Sequence, residues 1–133
     1  MAMKRFFVGV KAIIKDPTRG VLLLEDPRII DVPGGRIDEN ETFKETLKRE
    51  IDEELPGTEV ISVGELLGTY RVPMDVADDT GLVLLFFRVE AVVPEEVILS
   101  SEHVGYLWVN SVENIPKDRI NEEIRRIVTE ILQ

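Results

Sequence analysis

One strongly amphipathic helical segment, set among segments of strand-like composition, limits the possible folds more than any other feature. Residues 42–55 carry apolar side chains at helical spacing, with a Thr-x-x-Glu capping pair at the start and a Pro-Gly stop after the end. A second helical pattern covers residues 119–132. The remaining patterns are strand-like and cover residues 6–14, 21–25, 60–70, 82–93 and 105–109. Helices set among strands exclude a helical bundle and predict a layered α/β or α+β domain.

The length and the residue types that are missing narrow the function. The 133 residues suffice for one domain, so residues 1–133 are treated as a single unit. The chain has no cysteine and one histidine, His103, which excludes disulfides, cysteine-zinc sites, thiol nucleophiles and sites that need two histidines. The longest apolar run, residues 82–87, is too short to cross a bilayer, and the N-terminal segment lacks the pattern of a signal peptide. These features predict a soluble cytoplasmic protein with no membrane partner.

The charge balance restricts the partners further. The chain carries a net charge of −10. A negative field of this size opposes binding to duplex nucleic acid, whose phosphates are themselves negative. A small phosphate substrate remains compatible with this charge if cations screen the site.

Two carboxylates on the first helix lie on the wrong side for a solvated acidic face. At 100° per residue, Glu50 and Glu54 fall within about 20° of Phe43, whereas Asp52 falls on the opposite, solvent side. The predicted buried stripe consists of Phe43, Leu47, Ile51 and Leu55. Carboxylates beside such a stripe are costly without a compensating cation, and Mg²⁺ prefers oxygen ligands. With Glu53 on the adjoining turn, the pair predicts a metal site.

The wider spacing is more specific than the helical periodicity. The matching positions are Gly35, Glu41, Arg49, Glu50, Glu53 and Glu54, with an aliphatic residue at Ile51. This arrangement resembles the Nudix box, G-x5-E-x7-R-E-U-x-E-E-x-G-U, where U is a bulky aliphatic residue. The resemblance covers residues 35–57 and departs from the pattern at Pro56, which replaces the second glycine, and at Gly57, which occupies the final aliphatic position.

The resemblance implies both a fold and an activity. Nudix proteins are α/β/α sandwiches with a mixed sheet, a central catalytic helix and a C-terminal helix. Nudix enzymes hydrolyse the pyrophosphate bond of a nucleoside diphosphate linked to another group, and they use Mg²⁺ or Mn²⁺. The chain is therefore expected to be a nucleotide pyrophosphohydrolase whose cations reconcile an acidic protein with an anionic substrate.

The resemblance also implies roles for individual residues. The metal ligands would be the carboxylates of Glu50, Glu53 and Glu54 and the backbone carbonyl of Gly35. Arg49 would orient a neighbouring glutamate and the loop through charged hydrogen bonds. Glu41 would support the site from behind the metal ligands, and it can equally be a favourable charge near a helix N-terminus.

The general base has two candidates. One is Glu53, and the other is Glu102, in a Ser-Ser-Glu-His segment that resembles a loop preceding a Trp-containing strand in several Nudix groups. Glu102 can serve as an extra ligand, as the base or as a solvated loop acid. His103 is expected to be a loop or supporting residue rather than the base, and Trp108 and Phe86 are expected in the core rather than stacked on a nucleobase.

The substrate stays open at this point. Tyr70 and Pro73 lie shortly after the box, where some Nudix subfamilies carry a diagnostic Tyr or Pro. A proline at about this distance resembles ADP-ribose pyrophosphatases, whereas residues 102–109 resemble a segment of dinucleoside polyphosphate hydrolases. Nucleoside triphosphates and oxidised nucleotides are further alternatives, and each feature has a plain structural explanation as a turn proline or a core aromatic.

Two further possibilities concern the class of protein. A Nudix fold can serve as a catalytically silent nucleotide-sensing or protein-binding module, although the intact Arg49, Glu50, Glu53 and Glu54 argue against that alternative. Many Nudix proteins dimerise, which leaves a homodimer open.

Overall fold

The computed structural model describes residues 2–133, which form one mixed sheet and two helices. The strands are β1 (Arg5–Asp16), β2 (Gly20–Glu25), β3 (Ile30–Asp31), β4 (Gly34–Arg36), β5 (Glu59–Arg71), β6 (Thr80–Val92) and β7 (Gly105–Val109). The helices are α1 (Phe43–Glu54) and α2 (Glu122–Leu132), with a 3₁₀ turn at Val112–Asn114. Within the described residues, no helix is long and apolar enough to span a membrane.

The sheet is built around the long first strand. Its main path is β3-β2-β1-β6-β5, with β4 paired to β1 and β7 paired to β2. Strands β1 and β6 run parallel from the Arg5–Thr80 pair to the Ile14–Val89 pair, and the other pairings are antiparallel. The predicted mixed sheet is therefore confirmed.

The two helices cover opposite faces of this sheet. Because successive side chains of a strand point to opposite faces, Val10, Ala12 and Ile14 of β1 belong to the cluster under α1, whereas Ile13 belongs to the cluster under α2. The first cluster includes Leu47, Ile51 and Leu55, and the second includes Ile124, Ile127 and Val128. Two cores on either side of one sheet make the predicted α/β/α sandwich.

Helix α1 follows local signals closely. The Thr42 hydroxyl accepts a hydrogen bond from the Glu45 backbone N–H, and the Glu45 carboxylate accepts one from the Thr42 N–H, which completes the predicted capping box. The helix ends before Pro56, and the chain turns at Gly57 with a φ of 87°. The left-handed residue that ends a helix is thus supplied one position later than the box pattern places its glycine.

Phe43 differs from its predicted place in the buried stripe. Its side chain is 43% exposed, because it begins the helix and packs at 5.6 Å against the ring of Phe87, which is itself only partly buried. The other three members of the stripe are fully buried.

Gly34 and Gly35 follow Pro33 in a run with the composition of a tight turn, but they begin strand β4 instead. Gly34 and Gly35 pair with Lys11 and Val10 of β1. Gly34 has a φ of 148°, and a Cβ there would lie 2.1 Å from the Val10 carbonyl oxygen. The glycine therefore allows β4 to approach β1 closely enough to pair with it.

Helix α2 starts three residues later than the predicted 119–132 segment. Arg119 has a left-handed φ of 61°, and Ile120 forms a bridge with Ile30 at the sheet edge. Asn121 then caps the helix by accepting hydrogen bonds from the backbone N–H groups of Glu123 and Ile124.

Candidate functional site

Glu54, in the last turn of α1, is the most buried carboxylate of the candidate site. Its residue is 5% exposed. One carboxylate oxygen, Oε2, accepts a hydrogen bond from the Gly34 N–H at 2.8 Å, and the other, Oε1, lies 2.8 Å from Nε2 of His103. The side chain thus points at β4, where its position on the helical wheel places it.

Burial raises the pKa of the Glu54 carboxyl. Hydrogen bonds from Gly34 and His103 and the charge of Lys11 act in the opposite direction and do not cancel this effect. Mutual repulsion between carboxylates clustered on one helix would also raise a carboxyl pKa. For Glu54 the largest cause is instead burial, which removes water from this one carboxyl group.

This raised pKa makes a prediction about stability against pH. Below the unfolded pKa of about 4.3, Glu54 is protonated in both states. Above it, the unfolded chain loses this proton more readily than the folded chain, so wild-type stability falls until the pH exceeds the folded pKa. The Glu54→Gln variant carries no such charge and is expected to have a higher melting temperature than wild type at pH 8.

The comparison is made by thermal unfolding in the presence of a metal chelator, at pH 8 and at pH 4. The difference in melting temperature between Glu54→Gln and wild type should shrink at pH 4, where His103 is charged in both proteins. A difference that grows towards pH 4 would contradict the direction of the Glu54 shift.

The Glu50 carboxylate packs against the backbone of Gly35. A Cβ built on Gly35 would lie 2.3 Å from the carboxyl carbon of Glu50, well inside contact distance. The same carboxylate accepts a hydrogen bond from Nη1 of Arg49 at 2.7 Å. The space beside Gly35 is therefore occupied by the Glu50 carboxylate, and only a glycine leaves room for it there.

Arg49 ties α1 to the loop that precedes it. Its Nε and Nη2 donate to the two carboxylate oxygens of Glu41 at 2.7 and 2.9 Å, and Nη2 also donates to the Arg36 carbonyl at 3.2 Å. The Arg49 guanidinium lowers the pKa of Glu41 to about 2. Glu41 accepts further hydrogen bonds from the Asp38 N–H and the buried Thr46 hydroxyl, both at 3.0 Å. It therefore sits in a network of bonds rather than acting as an isolated charge near the helix end.

Glu53 and Asp52 are both exposed, but on different sides of α1. The Glu53 side chain is 60% exposed, with an oxygen 3.6 Å from Nη1 of Arg49. Asp52 is exposed on the face away from the sheet, as predicted. Glu53 thus lies on the same side of α1 as Arg49 and Glu50, and Asp52 does not.

Glu54 has its nearest potential ligand partners outside the helix. Within residues 2–133, the group of three or more acidic or histidine side chains with ligand atoms all within 4.8 Å consists of Glu54, Glu102 and His103. Nδ1 of His103 lies 2.9 Å from Oδ1 of Asp26. From the sequence, Glu102 is a ligand, a base or a loop acid and His103 is a supporting residue, whereas Asp26 belongs to no motif and is not predicted.

The register between β1 and β4 decides which backbone carbonyl faces α1. Ala12 N–H donates to the Pro33 carbonyl and Ile37 N–H to the Val8 carbonyl. Hydrogen-bonded pairs alternate along an antiparallel ladder, so the intervening Val10–Gly35 pair is hydrogen-bonded and the Gly35 carbonyl faces β1. The polar backbone groups of Gly34 and Arg36 face α1 instead, as their bonds to Glu54 and Arg49 require. Gly34, one residue before the sequence-predicted Gly35, presents the carbonyl on the site side.

These groups fit a hard divalent cation. The donors gathered where α1 faces β4 are carboxylate oxygens and a backbone carbonyl, which Mg²⁺ and Mn²⁺ prefer. The glycine at position 35 leaves space for a carboxylate, and a buried acid at position 54 faces the same strand. A net negative cluster of this kind is stabilised by a cation.

A cleft on the opposite face of the sheet adjoins this region. It has a volume of about 380 Å³, and its lining includes Asp31, Tyr70, Pro73 and Asn121. Asp31 accepts a hydrogen bond from the buried Lys11 ammonium at 3.1 Å. The Lys11 ammonium therefore lies beside the cleft, and Lys11 itself pairs with Gly34 of β4.

The two aromatic residues considered for stacking are part of the core packing. Phe86 is fully buried under α2. Trp108 is partly buried against the α1 cluster, and the guanidinium of Arg19 lies 4.3 Å from its ring centroid. The core interpretation is confirmed for Phe86, and Trp108 packs against the core at its edge.

The sequence matches one family model, described as the NUDIX domain, over residues 5–131. The family resemblance inferred from the box is thereby confirmed. No curated protein matches the chain.

Several solved structures share the fold. The MutT protein from Methanosarcina mazei Go1 is 24% identical, with a TM-score of 0.77 over 98% of this chain and 95% of that one. The MutT NUDIX hydrolase from Burkholderia pseudomallei is 23% identical, with a TM-score of 0.73 over 98% and 100%. The E. coli dihydroneopterin triphosphate pyrophosphohydrolase is 16% identical, with a TM-score of 0.67 over 97% and 98%. At these identities the likeness establishes the α/β/α architecture.

Proposed function

The chain belongs to the NUDIX family, and we propose that it hydrolyses the pyrophosphate bond of a nucleoside diphosphate linked to another group, with the help of a divalent metal ion. The observation that carries the proposal is the convergence of Glu50 and Glu54 on the backbone of Gly34 and Gly35. Two carboxylates aimed at one short strand support a cation site over a merely acidic surface.

The residues proposed to hold Mg²⁺ or Mn²⁺ are Glu50, Glu53 and Glu54, with a backbone carbonyl of the Gly34–Gly35 pair. The register favours the carbonyl of Gly34 over that of Gly35. When bound, the ion supplies positive charge that offsets the negative charge of the diphosphate.

The surrounding residues hold these ligands in place. Arg49 donates to Glu50 and Glu41 together, which ties the loop to the helix. The Gly34 N–H fixes one oxygen of Glu54. Such fixed ligands lose little freedom when substrate and metal arrive, which is the usual source of catalytic advantage in a preorganised site.

Glu53 and Glu102 are both proposed as the general base that accepts a proton from the attacking water. Glu53 has a side chain exposed enough to reach bound substrate. Glu102 is exposed on a loop and lies within ligand distance of Glu54. Variants at both positions decide between them.

For the substrate, we propose that the base or second moiety enters the cleft lined by Tyr70 and Pro73. Its apolar walls and the Asp31 and Asn121 side chains suit a ring with hydrogen-bonding edges. ADP-ribose, dinucleoside polyphosphates, nucleoside triphosphates and oxidised nucleotides all carry such a ring. We propose that residues 1–133 form a single catalytic domain. We further propose that the protein acts in the cytoplasm, as a monomer or a homodimer.

A nucleotide panel tests the proposal. Purified protein is incubated with each class of nucleotide and a coupling phosphatase, with and without Mg²⁺ or Mn²⁺, and released phosphate is measured. We expect metal-dependent release from at least one class and none in the presence of a chelator. Binding of a nucleotide without release from any member, seen by calorimetry, would support the silent module instead.

A further inference from the structure

One histidine sits between two acidic groups at the edge of the proposed site. The ring of His103 reaches Asp26 through Nδ1 at 2.9 Å and Glu54 through Nε2 at 2.8 Å. His103, Glu54 and Glu102 form a cluster whose ligand atoms all lie within 4.8 Å of one another. This cluster offers one nitrogen and two carboxylates, whereas the donors in the Nudix box are oxygens.

Each ring nitrogen of His103 faces a carboxylate, that of Asp26 at Nδ1 and that of Glu54 at Nε2. A carboxylate on one imidazole nitrogen holds the proton there and turns the other nitrogen towards a metal, the arrangement found behind most metal-binding histidines. If a metal ion binds at Nε2, Asp26 would hold the remaining ring proton on Nδ1 and Nε2 would face the ion with its lone pair.

The cluster is also held in place by backbone bonds. The Ser100 N–H donates to the Glu54 carbonyl at 3.0 Å, and the Val104 N–H donates to the Glu25 carbonyl at 2.9 Å. The side chains of His103 and Glu54 are 8% and 6% exposed. The loop is therefore docked on both α1 and the end of β2, and its ligand atoms are positioned before any ion binds.

We infer that His103, Glu54 and Glu102 form a binding site for a first-row transition-metal ion, with Asp26 orienting the histidine. A nitrogen ligand favours such ions over Mg²⁺, which takes oxygen ligands. The site shares Glu54 with the proposed function and in that respect rests on it, but the histidine ligand is a separate claim. The chain's single histidine makes the claim directly testable.

The probe is Mn²⁺, added to protein from which any histidine tag has been removed. Pulsed electron paramagnetic resonance detects nitrogen bound directly to Mn²⁺. We expect a ¹⁴N coupling of imidazole type that becomes a ¹⁵N coupling when histidine alone is isotopically labelled. Because His103 is the chain's one histidine, this change assigns the ligand without a mutation. Bound Mn²⁺ without a histidine coupling, or no Mn²⁺ binding, overturns the inference.

Variants provide the second arm. Asp26→Asn is expected to weaken Mn²⁺ binding by roughly 10-fold, the usual cost of losing the group behind a ligand, while Mg²⁺ binding changes less. His103→Gln should abolish the nitrogen coupling, with folding checked by circular dichroism. Asp52→Asn, an exposed acid on the same helix, is the matched control and should leave Mn²⁺ affinity unchanged. Equal losses for Mn²⁺ and Mg²⁺ in Asp26→Asn would contradict a nitrogen-containing site.

The two proposals can fail separately. Metal-dependent hydrolysis without histidine coupling leaves the proposed function standing and removes the nitrogen ligand. Histidine coupling without hydrolysis of any nucleotide retains this metal site and removes the hydrolase.

Discussion

Replacing Glu54 by glutamine is expected to lower kcat by roughly 100-fold or more, the scale of losing a principal electrostatic or acid–base group. The substitution keeps the shape of the side chain and removes one negative charge from a buried position that faces Gly34. Glu53→Gln is expected to have an effect of similar size. Nucleotide binding should weaken less than turnover, because contacts in the cleft remain. Steady-state kinetics with the best substrate of the panel measure both parameters.

Asp52→Asn is the control for this pair. Asp52 lies on the same helix turn but is exposed on the face away from β4, so the same change of charge should leave kcat near the wild-type value. Glu102→Gln is measured alongside: a loss comparable to that of Glu53→Gln assigns the base to the loop, and wild-type rates make Glu102 dispensable for turnover. Near-equal activity of the Asp52, Glu53 and Glu54 variants would falsify the mechanism.

The parts of the fold that could be predicted are those whose information is local. Helix α1 carries its own cap, apolar spacing and stop, so its bounds follow from residues within one segment. The same spacing locates Glu50 and Glu54 on the sheet side of the helix. Strand β7 was predicted with its bounds unchanged, because short β-rich runs between turns have few alternatives.

The parts that could not be predicted depend on contacts between distant segments. The Pro-Gly-Gly sequence has the composition of a turn, but its two glycines begin β4 because β1 offers a partner and Gly34 tolerates the close approach. Asp26 and His103 are 77 positions apart, and only the docking of the 100–104 loop on β2 and α1 brings them together. Local composition does not predict such contacts. Neither the backbone carbonyl that faces α1 nor the contact of His103 with Asp26 therefore follows from the Nudix-box pattern.

The burial that raises the pKa of Glu54 also depends on contacts between distant segments. A charge run in the sequence suggests repulsion between neighbours, because helical spacing is all that is visible. In the folded chain, Glu53 extends into solvent and Glu50 bonds to Arg49, so Glu54 is left as the buried member. Its burial depends on β4 and the 100–104 loop, which cover the helix end.

A methyl group added at Gly35 is expected to reduce kcat by roughly 100-fold while changing the free energy of unfolding by less than about 1 kcal/mol. The new Cβ would lie 2.3 Å from the carboxyl carbon of Glu50, so this carboxylate must move away from β4. Its side chain is flexible enough to swing towards solvent, and Gly35 lacks a positive φ, so alanine adds no backbone strain. The fold should therefore survive while the ligand geometry is lost.

Two comparisons distinguish displacement of Glu50 from general damage to the sheet. Gly105→Ala adds the same methyl to a strand glycine whose nearest contact would be an ordinary 3.8 Å to the Glu25 Cβ, and it should retain wild-type kcat. The double variant Gly35→Ala with Glu50→Ala should be no slower than Glu50→Ala alone, because the methyl then has no carboxylate to displace. Denaturant unfolding and steady-state kinetics are measured on all four variants. If the two losses simply multiply, Gly35 acts independently of Glu50 and the close approach between them is not what the glycine preserves.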